Sequence, residues 1–305
     1  MTAIPRKVDV LLSTFRRPEV AKTLNSLEAL DLPVGVDLRI VVSDNDEMPT
    51  AQAVVTQTAA KMAHPVLYYH APARNISVAR NAGLDAATAR GADWVVFLDD
   101  DEMADRDWLT ALLACAETTD SDAVFGPSIA EYGPDTPDWM RRQDYHSNKP
   151  ERRDGVVQTG HTCNALLRWG HAPWRAERFD VARGRTGGED TEFFFRLYHK
   201  GARFEICDQA IVREGVPPGR LSFGWLARRK YRSGQSYAAV TQGMGSRLAL
   251  MLSAGGKSVV CAAGALAGIW SQDRRNFWLL RGALHAGVIS GCLSLRQPEI
   301  YGVGD

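Results

Sequence analysis

The fold class this sequence predicts is α/β, with a mixed, mostly parallel central sheet and a C-terminal helical extension. Three observations predict it. Short β-branched runs alternate with helix-period segments as far as about Phe125. Several of those runs end in hydroxyl or carboxylate residues. The chain from about 221 to 296 reads as helix throughout. Strands alternating with helices imply right-handed crossovers, which bring the carboxyl ends of the strands together along one crevice.

Val8 to Leu12 reads as the first strand, closed by Ser13-Thr14. Arg17-Pro18-Glu19 opens a helix with proline in its first turn, carrying Val20, Leu24, Leu27 and Leu30 at helical spacing. Leu38 to Val42 is the next strand and runs into Ser43-Asp44-Asn45-Asp46. A helix over about 50–62, a strand at Val66 to His70 and a helix over about 78–90 follow. Trp94 to Leu98 then forms a strand that ends in Asp99-Asp100-Asp101. Residues 130–160 are rich in proline, glycine and charge and read as loops, and Val156 to Arg168 as strand-turn-strand through Gly160. Gly187-Gly188-Glu189-Asp190 opens a helix over Thr191 to Lys200 that Gly201 stops, before one or two short strands over Phe204 to Val212. These elements make an α/β body of residues 1–240, whose pattern changes at about 127/128, and a helical region at 241–305.

The aspartate triplet is the most informative cluster. Carboxylates crowded at the carboxyl end of a strand repel one another unless a cation lies between them, and hard oxygen ligands suit Mn²⁺ or Mg²⁺. A divalent ion held by few carboxylates generally also holds phosphate oxygens, which points to an enzyme acting on a phosphate-bearing substrate.

Composition narrows the class. With 36 basic and 36 acidic residues the chain lacks the excess positive charge that a nucleic-acid partner requires. Five scattered cysteines without a C-x-x-C pair fit a reducing compartment and exclude a sulfur-rich metal site. Arg6 and Lys7 precede an apolar run too short for a secretory signal. Leu248 to Trp270 and Phe277 to Leu295 are rich in Gly, Ala and Ser. They read as interfacial or partner-packing helices; a soluble helical core and true membrane spans are the alternatives.

The order of five segments resembles the family 2 glycosyltransferases, whose fold is GT-A, and in particular the bacterial enzymes of succinoglycan-type exopolysaccharide assembly. The segments are Asp9 to Arg17, Val41 to Asp46, Asn75 to Asn81, Phe97 to Glu102 and Gly187 to Asp190. They cover roughly residues 8–235 and leave about the last 65 residues unmatched. The resemblance implies that residues of about 1–127 form a nucleotide-sugar half and about 128–240 an acceptor half, that Thr14 and Arg16 line a nucleotide pocket, that Asp44 hydrogen-bonds the base, uracil, whose imide N–H can donate to a carboxylate and is lacking in cytosine, and that Arg80 meets the diphosphate. Asp101 would ligate the metal, with Asp99 and Asp100 contacting metal, metal-bound water or ribose. Asp190 would be the general base and Glu189 would orient acceptor or backbone. Trp139, His161 and Asn164 fall where acceptor or sugar contacts are expected, and Tyr145, Trp169 and Trp174 are further aromatics able to stack on a sugar.

One departure stands out. Where many GT-A enzymes carry a late metal-binding histidine, this chain has Arg213-Glu214. Arg228-Arg229-Lys230-Tyr231-Arg232 reads either as a diphosphate clamp or as a basic patch for anionic lipid. The implied activity is inverting, metal-dependent transfer of a hexose from a nucleotide sugar, a UDP-hexose, to a lipid-linked saccharide at the cytoplasmic face of the inner membrane. A sugar nucleotidyltransferase is an alternative, although Leu12 to Arg17 lacks the glycine of a phosphate loop. A catalytically silent membrane-anchored scaffold is another, but it would have no need of two intact acidic clusters.

Overall fold

The computed structural model describes residues 5–239 and 244–293. The described residues form two compact units, one of 5–129 and 147–214, the other of 130–146 and 215–293. The sequence places a boundary near residue 240; the structure divides at 214/215, because the helix Phe223–Ala239 packs on the helices that follow it.

In the first unit the expected alternation is present. Strands β1 (Arg6–Thr14), β2 (Val36–Asp44), β3 (Val66–His70) and β4 (Trp94–Asp99) are interleaved with helices α1 (Val20–Glu28), α2 (Gln52–Ala59) and α3 (Ile76–Arg90). The seven-stranded sheet has the order β3-β2-β1-β4-β8-β6-β9, completed by β6 (Ala123–Phe125), β8 (Asn164–Arg168) and β9 (Phe204–Ile206). β8 runs antiparallel to both its neighbours; the remaining pairs are parallel. A short strand, β5 (Glu102–Ala104), follows β4 and pairs with β10 (Val212–Gly215), setting Glu102 opposite Glu214. α4 (Trp108–Thr119) and α6 (Glu189–His199) complete the unit; α5 (Asp138–Gln143) belongs to the other.

Register fixes the crevice. Thr14 pairs with Asp44, Ser13 with Asp99, and Leu98 with Asn164, so all of these lie at one end of the sheet. One face of the sheet buries Val10, Leu12, Ile40, Val42, Val96 and Leu98 with α1 and α4 residues; the other buries Leu11, Phe97, Phe125 and Leu167 with Phe193 and Phe194 of α6. This alternation along β1 and β4 is the two-residue period of a strand buried on both faces.

The second unit holds α5, α7 (Phe223–Ala239), α8 (Met244–Ala267) and α9 (Gln272–Cys292). α7 and α9 meet where glycines remove the side chain: a Cβ on Gly287 would sit 1.8 Å from Tyr231 O, and one on Gly234 2.1 Å from Leu284 O. α8 leaves Leu248, Leu252, Val259, Val260 and Leu266 exposed, with Trp270 just beyond it almost fully so. Among the described residues it is the one helix long and apolar enough to cross a membrane.

Candidate active site

Two acidic clusters meet on one arginine. α3 is started by Asn75, whose side chain accepts from the backbone N–H groups of Ser77 and Val78, and ended by left-handed Gly91. That places Arg80 in the second turn, buried, with its guanidinium 5.6 Å from the Phe179 ring centroid. Arg80 Nη1 donates to Glu189 Oε1, and Nη2 lies 3.8 Å from Asp99 Oδ1. The triplet at the end of β4 and the pair at the start of α6 therefore flank a single buried cation.

Gly187 and Gly188 explain how α6 begins there. Their φ angles of 90° and 83° lie in the left-handed region that glycine adopts without strain. Phe193 then stacks on Phe179 at 4.1 Å, and Phe193 and Phe194 pack edge-on to Phe97 of β4. Glu189 is buried, and its Oε2 is buried without a hydrogen bond. Burial raises its pKa against the opposing charge of Arg80.

Asp190 is held differently. Its Oδ1 accepts from Thr191 N at 2.6 Å and Thr191 Oγ1 at 3.3 Å, and its Oδ2 lies 3.0 Å from His161 Nδ1. Burial would raise its pKa, but the hydrogen bond and charge of His161, the charge of Arg80 and the Thr191 N–H together bring it down to about 2.

At the aspartate triplet a second arginine intervenes. Arg17 Nη1 lies 3.1 Å from Asp100 Oδ1 and pairs with Asp101 Oδ2. Burial pushes the Asp100 carboxyl up to about 7, with Asp101 and Asp99 adding to the rise against Arg17. Asp99 moves upward too, through burial first, then the charges of Asp101 and Glu214. Glu214 thus faces the cluster from the position where the resemblance expects a histidine. The surplus of negative charge fits a hard cation. Among the described residues no three His, Cys, Asp or Glu converge on one point; Asp99 and Asp101 could supply two oxygen ligands to such a cation, and a nucleotide diphosphate and water would have to complete the set. A Mn²⁺ or Mg²⁺ held there would supply positive charge to a departing diphosphate.

The nucleotide pocket expected at the ends of β1 and β2 is a bonded scaffold. Asp44 is fully buried: Oδ1 accepts from Asp46 N at 3.1 Å, and Oδ2 from Ala51 N and Tyr68 Oη at 2.8 Å each. Asp44 thus holds the turn into the next helix. Arg16 donates through Nε and Nη2 to buried Asp46 at 2.9 and 3.1 Å, and Thr14 is buried beside Asp44. Asn45 Oδ1 accepts from Asn75 N at 2.9 Å, which ties this turn to the start of α3.

Other expected contacts are structural in this geometry. Asn164 is buried; its Oδ1 accepts from Trp108 Nε1 at 2.8 Å and its Nδ2 donates to the Pro127 and Ala210 carbonyls. Trp139 belongs to the helical unit, where Tyr145 and Phe223 cover it at ring distances of 5.6 and 6.4 Å and it lines a cavity of about 400 Å³ with Leu221 and Leu279. Trp169 and Trp174 are buried and donate to Thr88 Oγ1 and the Arg168 carbonyl. Trp169 and Trp174 are thus enclosed in the core of the sheet unit. Arg17, Asp46 and Tyr68 are the residues that sequence reasoning missed; Arg17 ends a matching segment, which was the available signal.

Against this geometry, comparison with known proteins is decisive. Residues 9–171 match the family model described as Glycosyl transferase family 2. The chain belongs to glycosyl transferase family 2. It is 45% identical over 298 residues to the succinoglycan biosynthesis protein ExoM of Rhizobium meliloti (strain 1021), covering 97% of this chain and 96% of that one. Among solved structures it is similar to the mannosyltransferase PcManGT from Pyrobaculum calidifontis in complex with GDP-Man and Mn²⁺, with TM-score 0.63 and 18% identity over 95% of this chain and 88% of the other. It is also similar to S. aureus TarS 1-349 in complex with UDP-GlcNAc, with TM-score 0.54 and 16% identity over 92% of each chain. For this family 2 glycosyltransferase the GT-A fold expected from the five segments is the fold found.

Proposed function

We propose that this glycosyltransferase moves a hexose from a UDP-sugar to a lipid-linked saccharide in exopolysaccharide biosynthesis, with inversion at the anomeric carbon and a divalent cation at Asp99 and Asp101. The observation that carries the reading is the Asp99–Arg80–Glu189 bridge, which sets the triplet and the Glu189-Asp190 pair on opposite sides of one guanidinium.

In this reading the base lies at the carboxyl end of β2, over the Asp44–Asp46 turn, and the diphosphate lies beside the triplet, where Arg17 and Arg80 supply charge-assisted donors. The acceptor oxygen attacks from the side of α6 as the sugar–phosphate bond breaks, and the Glu189-Asp190 cluster provides for removal of its proton. One in-line displacement inverts the configuration. Exopolysaccharide assembly is the process named for the relative at 45% identity. The exposed apolar face of α8 supports attachment to the cytoplasmic face of the inner membrane, where a lipid-linked acceptor is held.

Two measurements on the full chain test the proposal. Asp101→Ala should abolish the Mn²⁺-dependent part of UDP binding; wild-type affinity that is equal with and without Mn²⁺ removes the metal from the reading. Transfer that keeps the donor's anomeric configuration, read by NMR of the product, contradicts inversion.

A further inference from the structure

We propose that the group receiving the acceptor's proton is the His161 imidazole, oriented and charge-compensated by Asp190, making the base of this transfer a histidine–aspartate dyad. The inference rests on the transfer reading above and assigns the atoms of its proton step.

Exposure separates the two partners. The His161 side chain is 50% exposed and that of Asp190 only 19%, so the imidazole is the member presented to an incoming hydroxyl. The carboxylate is already engaged: Thr191 donates to Oδ1 through both N–H and hydroxyl, and His161 meets Oδ2. Asp190, its carboxyl held low against burial by His161, Arg80 and the Thr191 N–H, is ionised at neutral pH. An imidazole is the side chain most often used as a general base there.

The hydrogen bond also sets the tautomer. An ionised carboxylate only accepts, so His161 Nδ1 must carry the hydrogen it shares with Asp190 Oδ2, and the neutral ring then has its lone pair on Nε2. The loop is built to hold this arrangement. A Cβ on Gly160 would fall 2.0 Å from Phe125 Cε1, so only glycine lets the chain pass over that ring, and Thr159 Oγ1 donates to the Thr191 carbonyl at 3.1 Å. The residues on either side of the dyad are thereby pinned to each other. The other charges that act on the pair are Arg80, from α3, and Glu189, beside Asp190 on α6.

The step balances as follows. The acceptor oxygen forms a bond to the anomeric carbon, and the bond from that carbon to the phosphate oxygen breaks, its electron pair leaving on the nucleoside diphosphate. The hydroxyl proton passes to His161 Nε2. The resulting imidazolium is neutralised by Asp190 and releases its proton to solvent.

The test uses the full-length protein, a panel of UDP-hexoses with Mn²⁺, and a membrane extract supplying lipid-linked saccharide. His161→Gln should lower kcat by about 100-fold or more with donor KM within about threefold. His161→Ala should recover activity when imidazole is added, which a merely structural residue would not allow. In ¹⁵N-histidine spectra, His161 should be the Nδ1–H tautomer in wild type and lose that preference in Asp190→Asn. Wild-type turnover retained by His161→Gln, or an Nε2–H tautomer in wild type, overturns the dyad and leaves the transfer reading standing. Wild-type protein that transfers nothing from any member of the panel overturns the transfer reading, and the dyad with it.

Discussion

The crevice of the sheet unit and the α8 face of the helical unit are opposite solutions to charge and burial. In the crevice, charged groups face opposite charges, with Arg80, Glu189, Asp100 and Asp46 buried: Arg80 against Glu189 and Asp99, Arg17 against Asp100 and Asp101, Arg16 against Asp46. On α8, apolar groups are exposed and unmatched: Leu252 is 66%, Val259 70% and Leu266 71% accessible. Buried charge is tolerated only where position matters more than stability, and exposed apolar surface where another phase or partner covers it. Buried charge thus marks one region and exposed apolar surface the other.

Removing a cation from the crevice should have the largest effect. Arg80→Met leaves Glu189 buried without its partner, and a broken buried pair costs about 3–5 kcal/mol. We expect a marked fall in Tm and loss of transfer; an unchanged Tm means that the bridge is solvated rather than buried.

The acid side of the stability curve sharpens the picture. The Asp190 carboxyl, brought down to about 2 in the fold, binds its proton less readily there than in the unfolded chain. Its contribution, on the order of 2 kcal/mol, is complete above the unfolded carboxylate range and disappears as pH falls from about 4 to about 2. Asp190→Asn should flatten that part of the Tm profile. A mutant curve parallel to wild type throughout argues against the ionised carboxylate.

Tyr68→Phe removes the hydroxyl that donates to Asp44 Oδ2 and should cost about 1–2 kcal/mol, with some loss of UDP affinity. The smallest effect on stability belongs to α8. Leu252→Ser, Val259→Ser and Leu266→Ser together should move stability by no more than roughly 0.5 kcal/mol per site, because these side chains are exposed. The same triple variant should lose most of its partitioning onto anionic vesicles. If it sediments with vesicles as wild type does, the exposed face is not the attachment surface.

Much of the crevice was legible because its signals are local. β1, β2 and β4 announce themselves by β-branched runs, and parallel pairing then aligns Thr14, Asp44 and Asp99 with no further information. The Gly187-Gly188 entry to α6 was equally plain. Side-chain pairing was not legible, since it depends on contacts distant in sequence: Arg17 with Asp101 across 84 residues, His161 with Asp190 across 29, Arg80 with Glu189 across 109. Polar residues that turn inward misled for the same reason. Asn164 and Asp44 look like ligand contacts in sequence, yet each satisfies buried backbone groups of its own fold. The aromatic residues were ambiguous because a sugar platform and a core tryptophan have the same sequence signature. The end of the second C-terminal stretch, Ser294 and Leu295, lies outside the described residues.

The account stands on the two acidic clusters serving one sugar, and a crystal structure of the full chain with Mn²⁺ and a non-hydrolysable UDP-hexose addresses that directly. We expect the cation on Asp99 and Asp101, the diphosphate beside Arg17 and Arg80, and the open face of the anomeric carbon toward His161 and Asp190. A hexose directed away from α6, with the diphosphate still seated at the triplet, contradicts the account.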